Sequence, residues 1–313
     1  MGQKILVIGS TNIDLVVPVD HTPEVGETIL GGTLKKVPGG KGANQAVACG
    51  RLGGKTTFLT AVGADGLGEN ALVNMKEAGV DISRIRRSET LDTGMAMICV
   101  NREGNNSIVV VPGANTLCDL TYIRQHEEQI QTADILLAQL ETPADAVYYA
   151  LERGKALGKI TILNPAPAPE EIPEEVYRGL TYLTPNETEL SRLTKLPVDS
   201  LEEVERAAAA LLDKGVEHVI VTIGKRGAML CSRAGTKVFP PPYIKVADTT
   251  AAGDTFNGAI AVKLAEGAAV EEAIPFANAA STLSVSRPGA QTSIPSREEV
   301  ERFLDQIKKG ETA

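Results

Sequence analysis

The chain opens on Lys4-Ile5-Leu6-Val7-Ile8-Gly9, an unbroken apolar run that predicts a strand buried on both faces. Residues Leu15 to Val37 carry short β-prone pieces cut by Pro18, Pro23, Gly26 and Gly31-Gly32, and they predict a strand pair outside the main core. A second such set, Thr93 to Val100 with Ser107 to Val111, is joined by the hairpin-type linker Arg102-Glu103-Gly104-Asn105-Asn106. From residue 119 onward the two periodicities alternate. Helix 119–130 leads to a strand at 134–140, helix 143–156 to a strand at 160–163, and a strand at 181–184 to helices near 187–194 and 201–214, then a strand at 218–223. Such alternation predicts a parallel sheet with helices on both faces. A last helix, 296–309, starts from a serine cap at Ser296 with Glu299 three residues on.

In an open parallel sheet, ligands lie beyond the carboxyl ends of the strands. Glu141, Asn164, Asn186 and the turn Thr222-Ile223-Gly224-Lys225-Arg226-Gly227 all fall there. Asn12 and Asp14 follow the first strand. Two apart in extended chain, they face the same way and suit sugar hydroxyls or, equally, a turn.

Two stretches have phosphate-type chemistry. Pro38-Gly39-Gly40-Lys41-Gly42-Ala43-Asn44-Gln45 allows close backbone approach and then enters a helix. It is not a P-loop, because Lys41 is followed by glycine; Gly54-Lys55-Thr56 fails too, with Cys49 where the first glycine belongs. No dinucleotide G-x-G-x-x-G follows the first strand. The second stretch is Asp248-Thr249-Thr250-Ala251-Ala252-Gly253-Asp254-Thr255-Phe256. An amphipathic helix is predicted to start there, with Phe256, Ala259, Ile260 and Leu264 at helical spacing. Its N-terminus favours an anion. Asp254 in the first turn is a general base beside a bound phosphate, or only a first-turn helix acid.

Composition narrows the picture. A formal net charge of −9 in 313 residues argues against a general nucleic-acid or membrane-surface role. Cys49, Cys99, Cys118 and Cys231 are scattered, with no C-x-x-C and no zinc spacing, which suits free thiols in a reducing compartment. His21, His126 and His218 are isolated. No signal-peptide pattern or transmembrane-length apolar run is present, so a cytoplasmic protein is expected.

The nonapeptide at 248–256 closely resembles the signature of the ribokinase (PfkB-type) carbohydrate kinases. The resemblance extends over nearly the whole chain, through Gly39-Gly40-Lys41-Gly42-Ala43-Asn44-Gln45, Asn164-Pro165-Ala166-Pro167-Ala168 and Thr184-Pro185-Asn186-Glu187-Thr188-Glu189. It implies one Rossmann-like α/β domain over 1–313 with a small β lid, about 13–37 and 93–111, that also joins a homodimer. It implies transfer of the ATP γ-phosphate to O5 of D-ribose. By matching motif, Asp254 is the base and the backbone of Ala251, Ala252 and Gly253 the anion hole. Asn12, Asp14, Gly40, Lys41, Asn44 and Glu141 hold ribose. Asn186, Thr222, Ile223, Gly224, Lys225, Arg226, Gly227 and Asn278 contact the nucleotide. Glu189 bears indirectly on Mg²⁺. A K⁺ site is implied at Asp248, Thr250, Ser284, Arg287, Gly289 and Ser293. The rivals are another sugar or nucleoside kinase of the same fold, and an inactive sugar-binding regulator.

Overall fold

The computed structural model describes residues 3–310. The opening run forms β1 (Lys4–Ile8), and its alternation divides the core. Ile5 and Val7 join the apolar cluster on one face of the main sheet, Leu6 and Ile8 the cluster on the other. After Gly9-Ser10-Thr11 the chain extends again as β2 (Asn12–Pro18), and β3 (Lys35–Gly39) pairs antiparallel with it. Asn12 and Asp14 therefore do not end the first strand, as the sequence pattern suggested. They open a strand of a different sheet. Residues 19–34, expected to add β structure, hold no strand or helix.

The chain continues through α1 (Lys41–Arg51), β4 (Lys55–Leu59), β5 (Ala61–Gly63), α2 (Gly66–Glu77), β6 (Arg86–Ser88), β7 (Gly94–Val100) and β8 (Asn106–Val111). The hairpin β7–β8 forms as predicted, and β7 lies parallel to β2. The result is a four-stranded sheet in the order β3-β2-β7-β8, separate from the main one. The helix expected over 119–130 is two short pieces, α3 (Leu120–Gln125) and α4 (Glu127–Thr132), divided at His126. Then come β9 (Ile135–Ala138), α5 (Ala144–Ala156), β10 (Ile160–Leu163), α6 (Glu174–Arg178), β11 (Tyr182–Leu183), α7 (Glu187–Thr194), α8 (Leu201–Asp213) and β12 (His218–Thr222). Asn186 and Ser200 cap α7 and α8 with reciprocal capping boxes to Glu189 and Glu203.

The main sheet has eight strands in the order β14-β13-β12-β11-β10-β9-β1-β4. Six run parallel. The edge is an antiparallel hairpin of β13 (Ala228–Ser232) and β14 (Gly235–Phe239), so the sheet is mixed rather than purely parallel. α9 (Ala252–Ala265) and α10 (Val270–Val285) pack together on one face, and α11 (Arg297–Lys308) starts at the Ser296 capping box. The helix after Gly253 was expected to be amphipathic. Instead α9 is buried almost all round, because α1 covers one side and α10 another. Among the described residues no helix is long and apolar enough to cross a membrane.

Candidate active site

The site forms where α1, α9 and the ends of the main strands meet the first residues of β2. Gly40 makes the entry to α1 possible. Its φ is +88°, and a Cβ there would stand 2.7 Å from the Asn12 amide nitrogen. The next turn presents Lys41, Asn44 and Gln45. Ala251 caps α9 in the left-handed region, at φ +59°. The helix therefore begins at Ala252, and its N–H bonds back to Thr249 O at 3.3 Å. The N–H groups of Ala251, Gly253 and Asp254 have no acceptor among the described residues, while that of Ala252, also expected in the anion hole, is taken up by Thr249.

Asp254 is 8 % exposed and sits between two amides. Oδ2 accepts from Asn44 Nδ2 at 2.9 Å, and Oδ1 from Gln45 Nε2 at 3.0 Å. Burial raises its pKa, opposed first by Lys41 and then by the two amide donors. Glu141 holds the start of α1: Oε2 accepts from Ser10 Oγ at 2.6 Å and from Lys41 N at 3.1 Å. Asp14 is raised to about 7 by burial, reinforced by repulsion from Glu141 and Asp254. Burial pulls the Lys41 ammonium down, but Asp254, Glu141, Glu189 and Asp14 together outweigh it, and its pKa is raised. Lys41 makes no ion pair among the described residues and lines a cavity of about 200 Å³ with Asp254, Gly253, Asn186, Glu189 and Thr222. One lysine among four carboxylates leaves this cleft short of positive charge for a polyphosphate. A divalent counter-ion would supply it.

Other expected residues fall around this cleft. Asn186 and Glu189 line it, and each also caps α7: Asn186 Oδ1 accepts from Glu189 N at 2.8 Å, and Glu189 Oε2 from Asn186 N at 2.9 Å. Glu189 keeps one carboxylate oxygen free of that cap, which fits a largely hydrated Mg²⁺ bridged to substrate phosphate rather than a protein cage. Thr222 ends β12, and Gly224–Arg226 form a single 3₁₀ turn. Ile223 is buried, with its N–H bonded to Gly227 O and its C=O to Arg226 N; Lys225 is exposed, and Arg226 pairs with Glu187. Asn278 is buried on α10 and commits its amide N–H to Phe239 O at 2.8 Å.

Of the residues expected around K⁺, Thr250 and Gly289 are bonded to Asp248. Asp248 Oδ2 accepts from Gly289 N at 3.0 Å, and Oδ1 from Thr250 N and Oγ1 at 2.9 and 2.6 Å. Ala247 N reaches Val285 O at 2.8 Å, which fixes the 284–293 segment to the loop before α9. The Arg287 guanidinium is turned to Glu299 at 2.8 Å, and the Ser284 and Ser293 hydroxyls donate to Ser281 O and Ala290 O.

Residues 2–297 match the model of the pfkB family carbohydrate kinases. The chain belongs to the pfkB carbohydrate kinase family. A ribokinase of Bacillus subtilis is 42 % identical over 302 residues, covering 96 % of this chain and 99 % of that protein. A deoxyribokinase of Salmonella typhimurium is 36 % identical over 302 residues with the same coverage. The fold is likewise that of the family. An Arabidopsis thaliana ribokinase complexed with ribose and ATP superposes with a TM-score of 0.90 at 34 % identity, covering 97 % of this chain and 99 % of the other.

Sequence reading passed over several side chains that this family site brings in. Asn115, buried after β8, donates to Asn12 Oδ1 at 2.7 Å and accepts from Thr11 N at 2.8 Å, holding the Asn12 amide with its oxygen toward Asn115. Ser10 and Asn257 are others. Asn115 meets Asn12, Ser10 meets Glu141 and Asn257 meets Thr184 across long stretches of sequence, which no local spacing marks.

Proposed function

We propose that the protein transfers the γ-phosphate of ATP to O5 of D-ribose, giving D-ribose 5-phosphate and ADP. The observation that carries this reading is the buried Asp254 carboxylate. It accepts from Asn44 and Gln45 of α1, stands at a helix start whose N–H groups have no acceptor, and lines the cleft with Lys41, Asn186 and Glu189. Asp254 takes the O5 proton as the bond to phosphorus forms. The N–H groups of Gly253 and Asp254 meet the charge on the transferring phosphoryl group, with the positive end of α9 behind them. Asn12, Asp14, Gly40, Lys41, Asn44 and Glu141 hold the sugar. Asn186, Glu189 and the Thr222–Gly227 turn face the nucleotide. Mg²⁺, when bound, neutralises phosphate charge that Lys41 alone does not balance. K⁺ at Asp248, Thr250 and the 284–293 segment orders the loop before α9. The small sheet closes over the sugar as a lid and pairs with a second copy. Four free thiols suit a cytoplasmic protein.

The test is ADP release by the purified protein with ATP and a panel of ribose, 2-deoxyribose, fructose and adenosine, with K⁺ or a bulky organic cation. Ribose should give the highest kcat/KM, with faster turnover in K⁺. Asp254→Ala should lower kcat on the order of 10²–10⁴. No acceptor-dependent release, or full turnover without Asp254, would overturn the reading.

A second reading, preference for 2-deoxyribose, is favoured by the likeness to the Salmonella deoxyribokinase. Asp14 argues for ribose, since a partly buried carboxylate left without a hydroxyl partner costs up to roughly 3 kcal/mol. Asp14→Ala should then shrink the ribose-to-deoxyribose ratio of kcat/KM. An unchanged ratio removes Asp14 from that role.

A further inference from the structure

Beneath Asp254 runs a continuous chain of buried amides. Gln139 Nε2 donates to Gln45 Oε1 at 2.5 Å. Gln45 Nε2 donates both to Asp254 Oδ1 at 3.0 Å and to Asn164 Oδ1 at 3.1 Å. Asn164 Nδ2 donates to Thr184 O at 3.0 Å, and Thr184 Oγ1 to Asn257 Oδ1 at 2.6 Å. Asn257 Nδ2 ends the chain on Gly253 O at 2.9 Å.

The order of donors and acceptors is forced. The Gln45 oxygen is occupied by the Gln139 N–H, and its nitrogen faces two acceptors. Turning that amide over would set donor against donor on one side and acceptor against acceptor on the other. Burying this many polar groups is unfavourable relative to an apolar core, and the network is not fully satisfied: Gln139 Oε1 is buried without a partner. Packing alone does not call for it. Its two ends explain it. One is the carboxylate of Asp254. The other is the carbonyl of Gly253, which belongs to the same peptide plane as the Asp254 N–H. A single network thus aims both the base and one of the acceptor-free N–H groups at the cleft. The charged groups Lys41 on α1, Asp14 on β2, Glu141 after β9 and Glu189 on α7 also face Asp254, but they set its charge and leave its direction to the amides.

We propose that Gln45 is a positioning residue for phosphoryl transfer. It aims the Asp254 carboxylate, and through Asn164, Thr184 and Asn257 it holds the Gly253–Asp254 peptide so that its N–H faces the transferring phosphate. This rests on the kinase reading above. Gln45→Met keeps the length and removes the bonds. It should lower kcat about 10–100-fold, the scale of a misplacement near 1 Å, with KM for ribose and ATP changed less than about 3-fold. Added to Asp254→Ala, it should cause little further loss, because its effect passes through that carboxylate. Thr184→Val cuts the network away from the base and should lower kcat in the same direction by less. A folded Gln45→Met with parental kcat, or losses that multiply with Asp254→Ala, would overturn the proposal. Should Gln45→Met not fold, parental kcat in Thr184→Val would do so. If Asp254→Ala itself turns over normally, the kinase reading fails instead.

Discussion

Asp14 changes charge within the range where most proteins work. Its pKa of about 7 stands above the ordinary 3.8 because burial, Glu141 and Asp254 all disfavour the anion. The folded state therefore holds this proton more tightly than the unfolded chain does. Below about pH 4 both states are protonated and nothing is lost. As the pH rises toward 7 the folded state loses stability, and above 7 the loss is complete. Asp14→Asn removes the titration. Without ligand its melting temperature should exceed the parent's at pH 8, with a smaller gap at pH 5. A gap independent of pH would show that repulsion is not the cause. At this scale the sequence was partly legible. That Asn12 and Asp14 share a face followed from their spacing of two. The amides around Asp254 did not, since Gln45, Asn164 and Asn257 meet only after α1, β10 and α9 have packed.

Among the elements, the pairing of α1 with α9 decides the site's dimensions. α1 carries Lys41, Asn44 and Gln45, α9 carries Asp254, and the two cross closely at Gly258. A Cβ at Gly258 would stand 2.5 Å from the Ala48 Cβ and 3.1 Å from Gln45 O. Gly258→Ala should push the helices apart. We expect a stability loss of about 1–3 kcal/mol by denaturant titration, the usual scale of overpacking, with kcat falling more than KM rises. Parental kcat in a destabilised variant would separate the helix spacing from the chemistry. β10 and α7 follow the predicted spans, because each carries its own signal: a short apolar run in one, an Asn186–Glu189 cap in the other. α9 was misread as amphipathic because local periodicity shows one apolar stripe. It does not show that α10 covers the other side. The antiparallel edge β13–β14 escaped for a similar reason, being a hairpin at the end of an otherwise alternating pattern.

For the whole molecule, the small sheet leaves apolar surface uncovered. Met97, Ile108, Val109 and Val110 are 54, 51, 63 and 48 % exposed, and β8 is both an edge and open on both faces. Such an edge invites pairing unless something covers it. A second copy placed there would bury it, and sedimentation at micromolar concentration should give about twice the 33.0 kDa chain mass. Val109→Lys should shift the population toward monomer. A parent that sediments as a monomer would refute the pairing. The two sheets were foreseeable, since their β-prone segments lie in separate parts of the chain. That the sets at 13–37 and 93–111 join in one small sheet was expected too; that β2 and β7 are the strands that meet was not, because they pair across a long stretch of sequence.

The break at Gly9-Ser10-Thr11 places Asn12 and Asp14 on the small sheet, while Asp254 and its N–H groups belong to α9 on the large one. If Asn12 and Asp14 hold the acceptor as proposed, a shift of the small sheet against the large one would move the sugar's hydroxyls relative to the base, with Asn44, bonded to Asp254, staying on the side of the base.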